Sequence, residues 1–220
     1  MTDILVIAPH PDDETLGCGG TILKHIANGD KVHWCIVTQM DNNYPIDIRQ
    51  KRADEIQKVA NAYNFINVHQ LNFAPAQLDI VPKSELVGAI KKVFQKVAPE
   101  IVYLPFSGDV HSDHAYAFDA ASASLKWFRQ KSVKRALCYE TISETNFQIN
   151  PLQNRFNPNV YVDIEEFFNK KIDIMKIYES EIEEFPFPRS VEALEALAKL
   201  RGTACGARSA EAFILLKEIL

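Results

Sequence analysis

The sequence has few cysteines and no long apolar run, which are the features that stabilise small secreted domains and anchor a chain in a membrane. It contains four cysteines in 220 residues, and their scattered spacing argues against a structural zinc knot or a disulfide framework. No apolar run approaches the roughly 20 residues that a membrane-spanning helix needs. The opening MTDILVIAP has an acid at position 3 and an apolar run too short for a signal peptide. We therefore expect a cytoplasmic protein with no membrane span.

An excess of positive charge is also missing. Lys and Arg total 24 against 29 Asp and Glu, which gives a net charge of −5, so neither nucleic acid nor an anionic membrane is an expected partner. The apolar fraction of 47% and charged fraction of 24% are usual for a globular chain. The length suits one domain over residues 1–220 with a sizeable core, and the net charge leaves a neutral or cationic small substrate open.

Short β-branched runs alternate with longer segments of helical spacing over the first two-thirds of the chain. Strands are predicted at 4–8, 31–38, 66–71, 101–105 and 135–140, and helices at 14–28, 46–63, 83–97 and 114–130. This alternation indicates βαβ units and a mostly parallel sheet with helices on both faces. We predict an α/β fold, a Rossmann-like three-layer sandwich.

The last third reads as a C-terminal extension of helices and strands. After a long polar loop at 143–159, the pattern predicts a strand at 157–164, an amphipathic helix at 165–185 and a helix at 191–202. Periodicity leaves the tail at 210–220 open between helix and strand.

Two loops that follow predicted strands are rich in histidines and acids. The sequence HPDDE follows the first strand, and GDVHSDH follows the fourth. Ligands of open α/β sheets bind beyond the carboxyl ends of the strands, so we expect the two loops to meet there. Carboxylates this close repel one another unless a cation lies among them. The alternative is a pair of solvated loops in which Asp12 and Asp113 cap helices.

The residue types in these loops suit a hydrolytic metal site. Such a site uses three protein ligands and leaves a position for water. His10 and Asp13 supply two ligands from the first loop, and His114 supplies the third from the second loop. Imidazole and carboxylate together suit Zn²⁺, with Fe²⁺ or Mn²⁺ as alternatives.

These motifs resemble the PIG-L/LmbE-like zinc-dependent N-deacetylases, which remove acetyl groups from N-acetylglucosamine derivatives. The resemblance rests on APHPDDE, GCGGT and GDVHSDH in this order, on RADEIQKVANAYN at 52–64, and on the stretches at 157–181 and 201–213. It implies a hydrolase acting on the amide of a small amino sugar. Some relatives form oligomers through their C-terminal regions, so a homo-oligomer is a further expectation by analogy.

The resemblance also implies residue roles. His10, Asp13 and His114 become the zinc ligands, and Asp12 becomes the general base that takes a proton from water. Arg52 is expected to contact substrate, although a surface ion pair with Glu55 explains it equally well.

The proton donor for the leaving amine is not fixed by these motifs. His111 is the expected acid or oxyanion partner, with Asp113 able to orient it or a neighbour. The chain has no histidine after His114 and carries Asp109 where at least one relative has tyrosine. We expect Asp109, with Arg52, to line the substrate site.

Other functions stay open at this point. They are an amidase acting on a larger N-acyl group or a thiol conjugate, a metal-binding protein without catalysis, and a receiver-like signalling domain. A receiver needs a lone aspartate closing the third strand, where this chain has HQLNFAPAQ. The loop at 143–159 and the turn FPFPRS at 185–190 are expected to shape substrate choice. Phe147 and Phe156 of the loop either stack on a sugar or pack the loop.

Overall fold

The structure is a computed structural model that describes residues 1–150 and 155–220. Within these residues the strands and helices follow the order β1 (Asp3–Ala8), α1 (Asp13–Ala27), β2 (Lys31–Thr38), α2 (Ile46–Tyr63), β3 (Asn67–Phe73), α3 (Lys83–Val97), β4 (Ile101–Pro105), α4 (Ser112–Ser122), β5 (Arg135–Tyr139), β6 (Val160–Asp163), α5 (Phe168–Met175), α6 (Val191–Thr203) and β7 (Ala210–Glu218). Every helix in this part of the chain is too short or too polar to cross a bilayer.

One seven-stranded sheet has the order β3-β2-β1-β4-β5-β7-β6 among the described residues. Strands β1 to β5 run parallel, whereas β7 runs antiparallel to both β5 and β6. The chain builds outward from β1 to β3 and then returns to β4 on the other side of β1. This switch opens a crevice beyond the carboxyl ends of β1 and β4.

Strand β1 is buried on both faces of the sheet. Ile4 and Val6 belong to the core under α1, α2, α5 and α6, whereas Leu5 and Ile7 belong to the core under α3 and α4. All four side chains are fully buried, which explains why β1 reads as a continuous apolar run. The predicted three-layer α/β sandwich with a mostly parallel sheet is confirmed.

The predicted helix at 165–185 is wrong in length. Helix α5 covers only Phe168–Met175, and the chain then proceeds through turns to α6. The amphipathic pattern is present, but Tyr178 leaves it to donate a hydrogen bond to buried Glu14, at 2.8 Å. Tertiary contacts here outweigh helix propensity.

The structure also changes the bounds of the helix predicted at 114–130 and decides the form of the tail, which periodicity left open. Helix α4 begins at Ser112 and ends at Ser122, not at residue 130. The side chains of Trp127 and Phe128 are 67% and 57% exposed, so the segment buries too little apolar surface to extend the helix. The tail is the strand β7, since Ala212 and Phe213 pack in the gap between β5 and β6.

Gly17 sets the distance between α1 and the end of β5. A Cβ atom on Gly17 would lie 2.3 Å from Tyr139 Cδ2 and 2.9 Å from the carbonyl oxygen of Glu140, whereas a Cβ on Gly88 in α3 meets nothing within 4 Å. The α1 backbone therefore approaches the sheet only because this residue lacks a side chain.

We predict that Gly17→Ala lowers the free energy of unfolding by about 1–3 kcal/mol because of this overpacking. Gly88→Ala is the matched control, and it raises stability by about 0.5–1 kcal/mol because alanine favours the helix. Urea denaturation of both variants measures the difference. Equal stabilities would contradict the close contact.

Candidate functional site

The crevice brings three expected ligands to a common point. Asp13 Oδ2 lies 3.4 Å from His10 Nδ1 and 3.4 Å from His114 Nε2. The three candidate ligand atoms all lie within 4.8 Å of one another. Two imidazole nitrogens and a carboxylate oxygen facing one another suit a divalent cation, in particular Zn²⁺.

Each of the two histidines has its other ring nitrogen on a carboxylate. His10 Nε2 lies 3.0 Å from Asp113 Oδ2, and His114 Nδ1 lies 2.7 Å from Asp109 Oδ2. A carboxylate partner keeps the proton on the nitrogen that it contacts, so the opposite nitrogen offers its lone pair to a cation. The residues present therefore fit a bound metal ion.

The electrostatics of the cluster agree with this assignment. Burial opposes a charge on His10, but hydrogen bonds to Asp113 and Asp13 outweigh it and raise the pKa of His10 to about 9. Burial also opposes ionisation of Asp13, yet His114 and His10 hold the pKa of Asp13 well below its usual value. The site thus favours positive charge beside an ionised Asp13.

A second trio, His10, His111 and Asp113, also places its ligand atoms within 4.8 Å of one another. The oxygens of Asp113 accept hydrogen bonds from the backbone N–H groups of Ala76 and Leu78, at 2.7 and 3.2 Å. His111 Nδ1 accepts the Asp113 N–H at 3.2 Å. Asp113 already accepts two backbone N–H groups and contacts His10 Nε2, and His111 is only half-buried, whereas Asp13 and His114 are both buried. The trio of His10, Asp13 and His114 is therefore the better candidate.

The alternative of solvated, helix-capping acids is wrong. Asp12, Asp13 and Asp113 are all buried, and Asp12 makes no capping hydrogen bond to α1. At α4 the capping residue is His111. Asp113 instead accepts the backbone N–H groups of Ala76 and Leu78 and lies 3.0 Å from His10 Nε2.

Asp12 lies beside the ligands in a strained conformation. Its φ is 132°, a region that non-glycine residues rarely adopt, and such strain concentrates at functional sites. Its backbone N–H donates to Glu14 Oε2 at 3.0 Å, and its Oδ2 accepts from Arg189 Nη1 at 2.7 Å. Burial raises the pKa of Asp12 well above its usual value despite Arg189, and Asp13 adds to the rise.

His111 is placed as a hydrogen-bond donor. Burial and the neighbouring His10 lower the pKa of His111 to about 4, so the ring is neutral near pH 7. Because Nδ1 accepts a backbone N–H, the single ring proton lies on Nε2. A neutral ring of this tautomer suits donation to an oxyanion better than delivery of a proton.

Arg52 and Asp109 differ in position. Arg52 lines the cavity beside the candidate ligands and is buried, with its Nε 3.4 Å from Glu55 Oε2. The Glu55 pair exists, but in the interior and not on the helix surface. Asp109 is absent from the lining of this cavity. One of its carboxylate oxygens contacts His114 Nδ1, and the other accepts a hydrogen bond from Thr145 Oγ1 at 2.5 Å.

The cavity over the site has a volume of about 240 Å³, and its lining holds apolar as well as charged residues. Outside the two loops, the apolar or aromatic residues are Met40, Tyr44, Ile56, Pro75 and Ala76, and the charged residues, which we call the charged wall, are Arg52, Glu144, Glu181 and Arg189. The two aromatic residues expected to shape substrate choice, Phe147 and Phe156, are not among the residues that line this cavity. Phe156 packs against Phe106. The loop at 143–159 is described except for 151–154, which lie outside the described residues.

Sequence reasoning missed Glu181, and it reached Arg189 only as part of the turn at 185–190. Both residues follow α5. Arg189 contacts Asp12, Ser143 and Glu181, at 2.7, 2.8 and 2.9 Å. No local pattern marks the contact with Asp12, which lies 177 residues away in the sequence.

A sequence model of the PIG-L family, described as GlcNAc-PI de-N-acetylase, matches residues 5–125. That span holds both loops and every candidate ligand. The chain belongs to the PIG-L family. The resemblance noted in the sequence is therefore confirmed.

Relatives in this family match most of the chain. A diacetylchitobiose deacetylase from Thermococcus kodakarensis is 27% identical over 94% of this chain and 80% of its own length. A probable N-acetyl-alpha-D-glucosaminyl L-malate deacetylase 2 from Bacillus anthracis is 23% identical over 81% of this chain and 80% of its own. The crystal structure of the conserved protein TT1542 from Thermus thermophilus has a TM-score of 0.78 at 25% identity, covering 100% of this chain and 97% of that one.

We predict that Asp109→Asn weakens Zn²⁺ binding about 10- to 100-fold, because His114 loses its charged partner. Calorimetry or competition with a chelator measures the affinity. Asp119→Asn, which changes an exposed residue of α4, the helix that carries His114, is the control and leaves the affinity unchanged. Equal affinities for both variants would show that Asp109 has no part in metal binding.

Metal affinity is also expected to depend on pH. The proton held by His10, with its pKa of about 9, competes with the cation, so affinity increases as pH rises from 6 towards 9. Calorimetry in buffers of different ionisation enthalpy measures the protons released on binding. An affinity that stays constant over this range would contradict a ligand role for His10.

Proposed function

We propose that this protein is a zinc-dependent N-deacetylase that hydrolyses the N-acetyl group of an N-acetylglucosamine-type sugar. The proposal rests on the geometry of one cluster. Asp13 Oδ2 lies between a ring nitrogen of His10 and one of His114, and the other nitrogen of each ring contacts a carboxylate. The buried Asp12 lines the same cavity. The family model and the two curated relatives support the reaction class. Fe²⁺ and Mn²⁺ remain alternative metals for the same donor set.

His10, Asp13 and His114 hold the metal in this proposal. A bound Zn²⁺ supplies Lewis acidity, which makes water nucleophilic at neutral pH and stabilises negative charge on the amide oxygen. Asp109 and Asp113 hold the two imidazoles in the tautomers that binding requires.

Asp12 acts as the general base. Its raised pKa brings the carboxylate nearer to the pH at which a base is most effective. Arg189 fixes one of its oxygens, which orients the group for proton transfer. Asp12 takes a proton as the water oxygen attacks the acetamide carbon.

The collapse of the tetrahedral intermediate needs a donor to the oxyanion and a proton for the amine. His111 donates from Nε2 to the oxyanion, since its neutral ring carries the proton there. Asp12 then returns its proton to the nitrogen as the C–N bond breaks. Acetate and the free amino sugar leave. The carboxyl group of Asp12 is then ionised again, and the imidazole of His111 is neutral as before.

The cavity walls fit a sugar ring. Tyr44 and Met40 supply an apolar surface, and Arg52 and Glu181 supply polar groups on the charged wall. Pyranose rings offer an apolar face and a rim of hydroxyls to such a site. We assign Arg52 to substrate contact and Asp109 to positioning of His114.

We predict that Asp12→Asn lowers kcat for amine release by about 10²- to 10⁴-fold because the base is lost. The variant keeps about the same zinc content, since Asp12 is not among the ligands. A free-amine assay on a panel of N-acetylglucosamine derivatives, with metal analysis of each sample, measures both quantities. Asp119→Asn serves as the control variant.

Other results of this assay would each point to a different function. Turnover by zinc-loaded Asp12→Asn at the wild-type rate would show that Asp12 is not the base. A zinc-loaded wild-type protein that releases no amine from any sugar would contradict the deacetylase. Activity on longer N-acyl groups or thiol conjugates would then identify an amidase, and its absence a non-catalytic metal-binding protein.

A further inference from the structure

The two arginines that line the cavity are both neutralised by carboxylates of the chain. Arg52 forms ion pairs with Glu181 and with Glu55, and both Arg52 and Glu55 are buried. Arg189 contacts Asp12 Oδ2 at 2.7 Å and Glu144 Oε1 at 3.4 Å. Among the described lining residues, these two guanidinium groups are the permanent cations that a negatively charged substrate would meet.

Glu181 joins the two arginines. Its Oε1 accepts a hydrogen bond from Arg52 Nη2, and its Oε2 accepts one from Arg189 Nη1 at 2.9 Å. Both carboxylate oxygens are thereby used, one on each guanidinium. Ser180 Oγ, 3.0 Å from Arg52 Nη2, and Ser143 Oγ, 2.8 Å from Arg189 Nε, hold the pair in place.

The residues that line the cavity carry no excess positive charge that could attract an anion. Four carboxylates line the cavity against two guanidinium groups, namely Asp12, Asp13, Glu144, Glu181, Arg52 and Arg189. A bound divalent cation brings this set to neutrality. A further negative charge would have to displace Glu181 or lie beside it, and like charges in a partly buried site repel strongly.

We propose that Glu181 is a specificity-determining residue that selects uncharged amino sugars over those carrying a carboxylate or phosphate group. The proposal rests on the deacetylase function proposed above and narrows its substrate class. Selection of this kind works through repulsion of the wrong substrate as much as through attraction of the right one.

The test compares one uncharged and one anionic substrate. N,N′-diacetylchitobiose and N-acetylglucosamine 1-phosphate are assayed with the zinc-loaded wild-type protein, Glu181→Gln, Glu181→Asp and Glu183→Gln. The wild-type protein is expected to have the higher kcat/KM on the uncharged sugar. Glu181→Gln removes one negative charge from the lining, and the anionic-to-uncharged ratio of kcat/KM rises about tenfold or more.

The other variants separate charge from structure. Glu181→Asp keeps the charge and the wild-type preference, and Glu183→Gln changes an exposed residue of the same segment and leaves the ratio unaltered. A wild-type preference for the phosphate sugar would overturn the proposal, whether or not the variants fold. A ratio in folded Glu181→Gln equal to that of the wild-type protein would overturn it as well.

A binding measurement distinguishes this proposal from the proposed function. Sulfate titrated into the zinc-loaded proteins is expected to bind Glu181→Gln about tenfold more tightly than it binds wild-type protein or Glu183→Gln. If neither sugar is hydrolysed but sulfate binding follows this order, the deacetylase function fails and the electrostatic role of Glu181 stands. Equal sulfate affinities in all three proteins would contradict that role.

Discussion

The cost of burying carboxylates at one edge of the sheet governs the rest of this structure. Asp12, Asp13, Asp109 and Asp113 are all buried at the crevice beyond β1 and β4. A buried charge is tolerated only when it is paired or hydrogen-bonded. Each aspartate accordingly has a partner, and some partners are shared. Arg189 contacts Asp12, His114 contacts both Asp109 and Asp13, His10 contacts Asp13, and backbone amides contact Asp113.

The same constraint explains why a segment from the last third of the chain completes the site. Glu181 and Arg189 lie beyond the matched family span of 5–125, yet they line the cavity beside Asp12. The loops that carry the candidate ligands and Asp12 therefore lie inside the matched span, and the charged wall of the cavity is built partly outside it.

The sequence predicts the fold and the candidate metal ligands because both leave local patterns. Strand β1 is apolar throughout since it is buried on both faces, and His10 and Asp13 lie three residues apart on the turn that follows it. The charged wall leaves no such pattern, because Arg189 is 177 residues from the carboxylate it contacts. The helix predicted at 165–185 fails for the same reason, since Tyr178 is drawn to Glu14 across 164 residues.

Glu14 joins these two parts of the site. It is fully buried, and burial raises its pKa to about 7 despite hydrogen bonds from Thr15 and Tyr178. One of its oxygens accepts the backbone N–H of Asp12, and the other accepts the hydroxyl of Tyr178. The strained backbone of Asp12 is therefore bonded, through one carboxyl group, to the segment that carries Glu181. Since Arg189 of that segment also contacts the Asp12 side chain, a change in the segment alters the geometry of Asp12 together with the charge of the cavity.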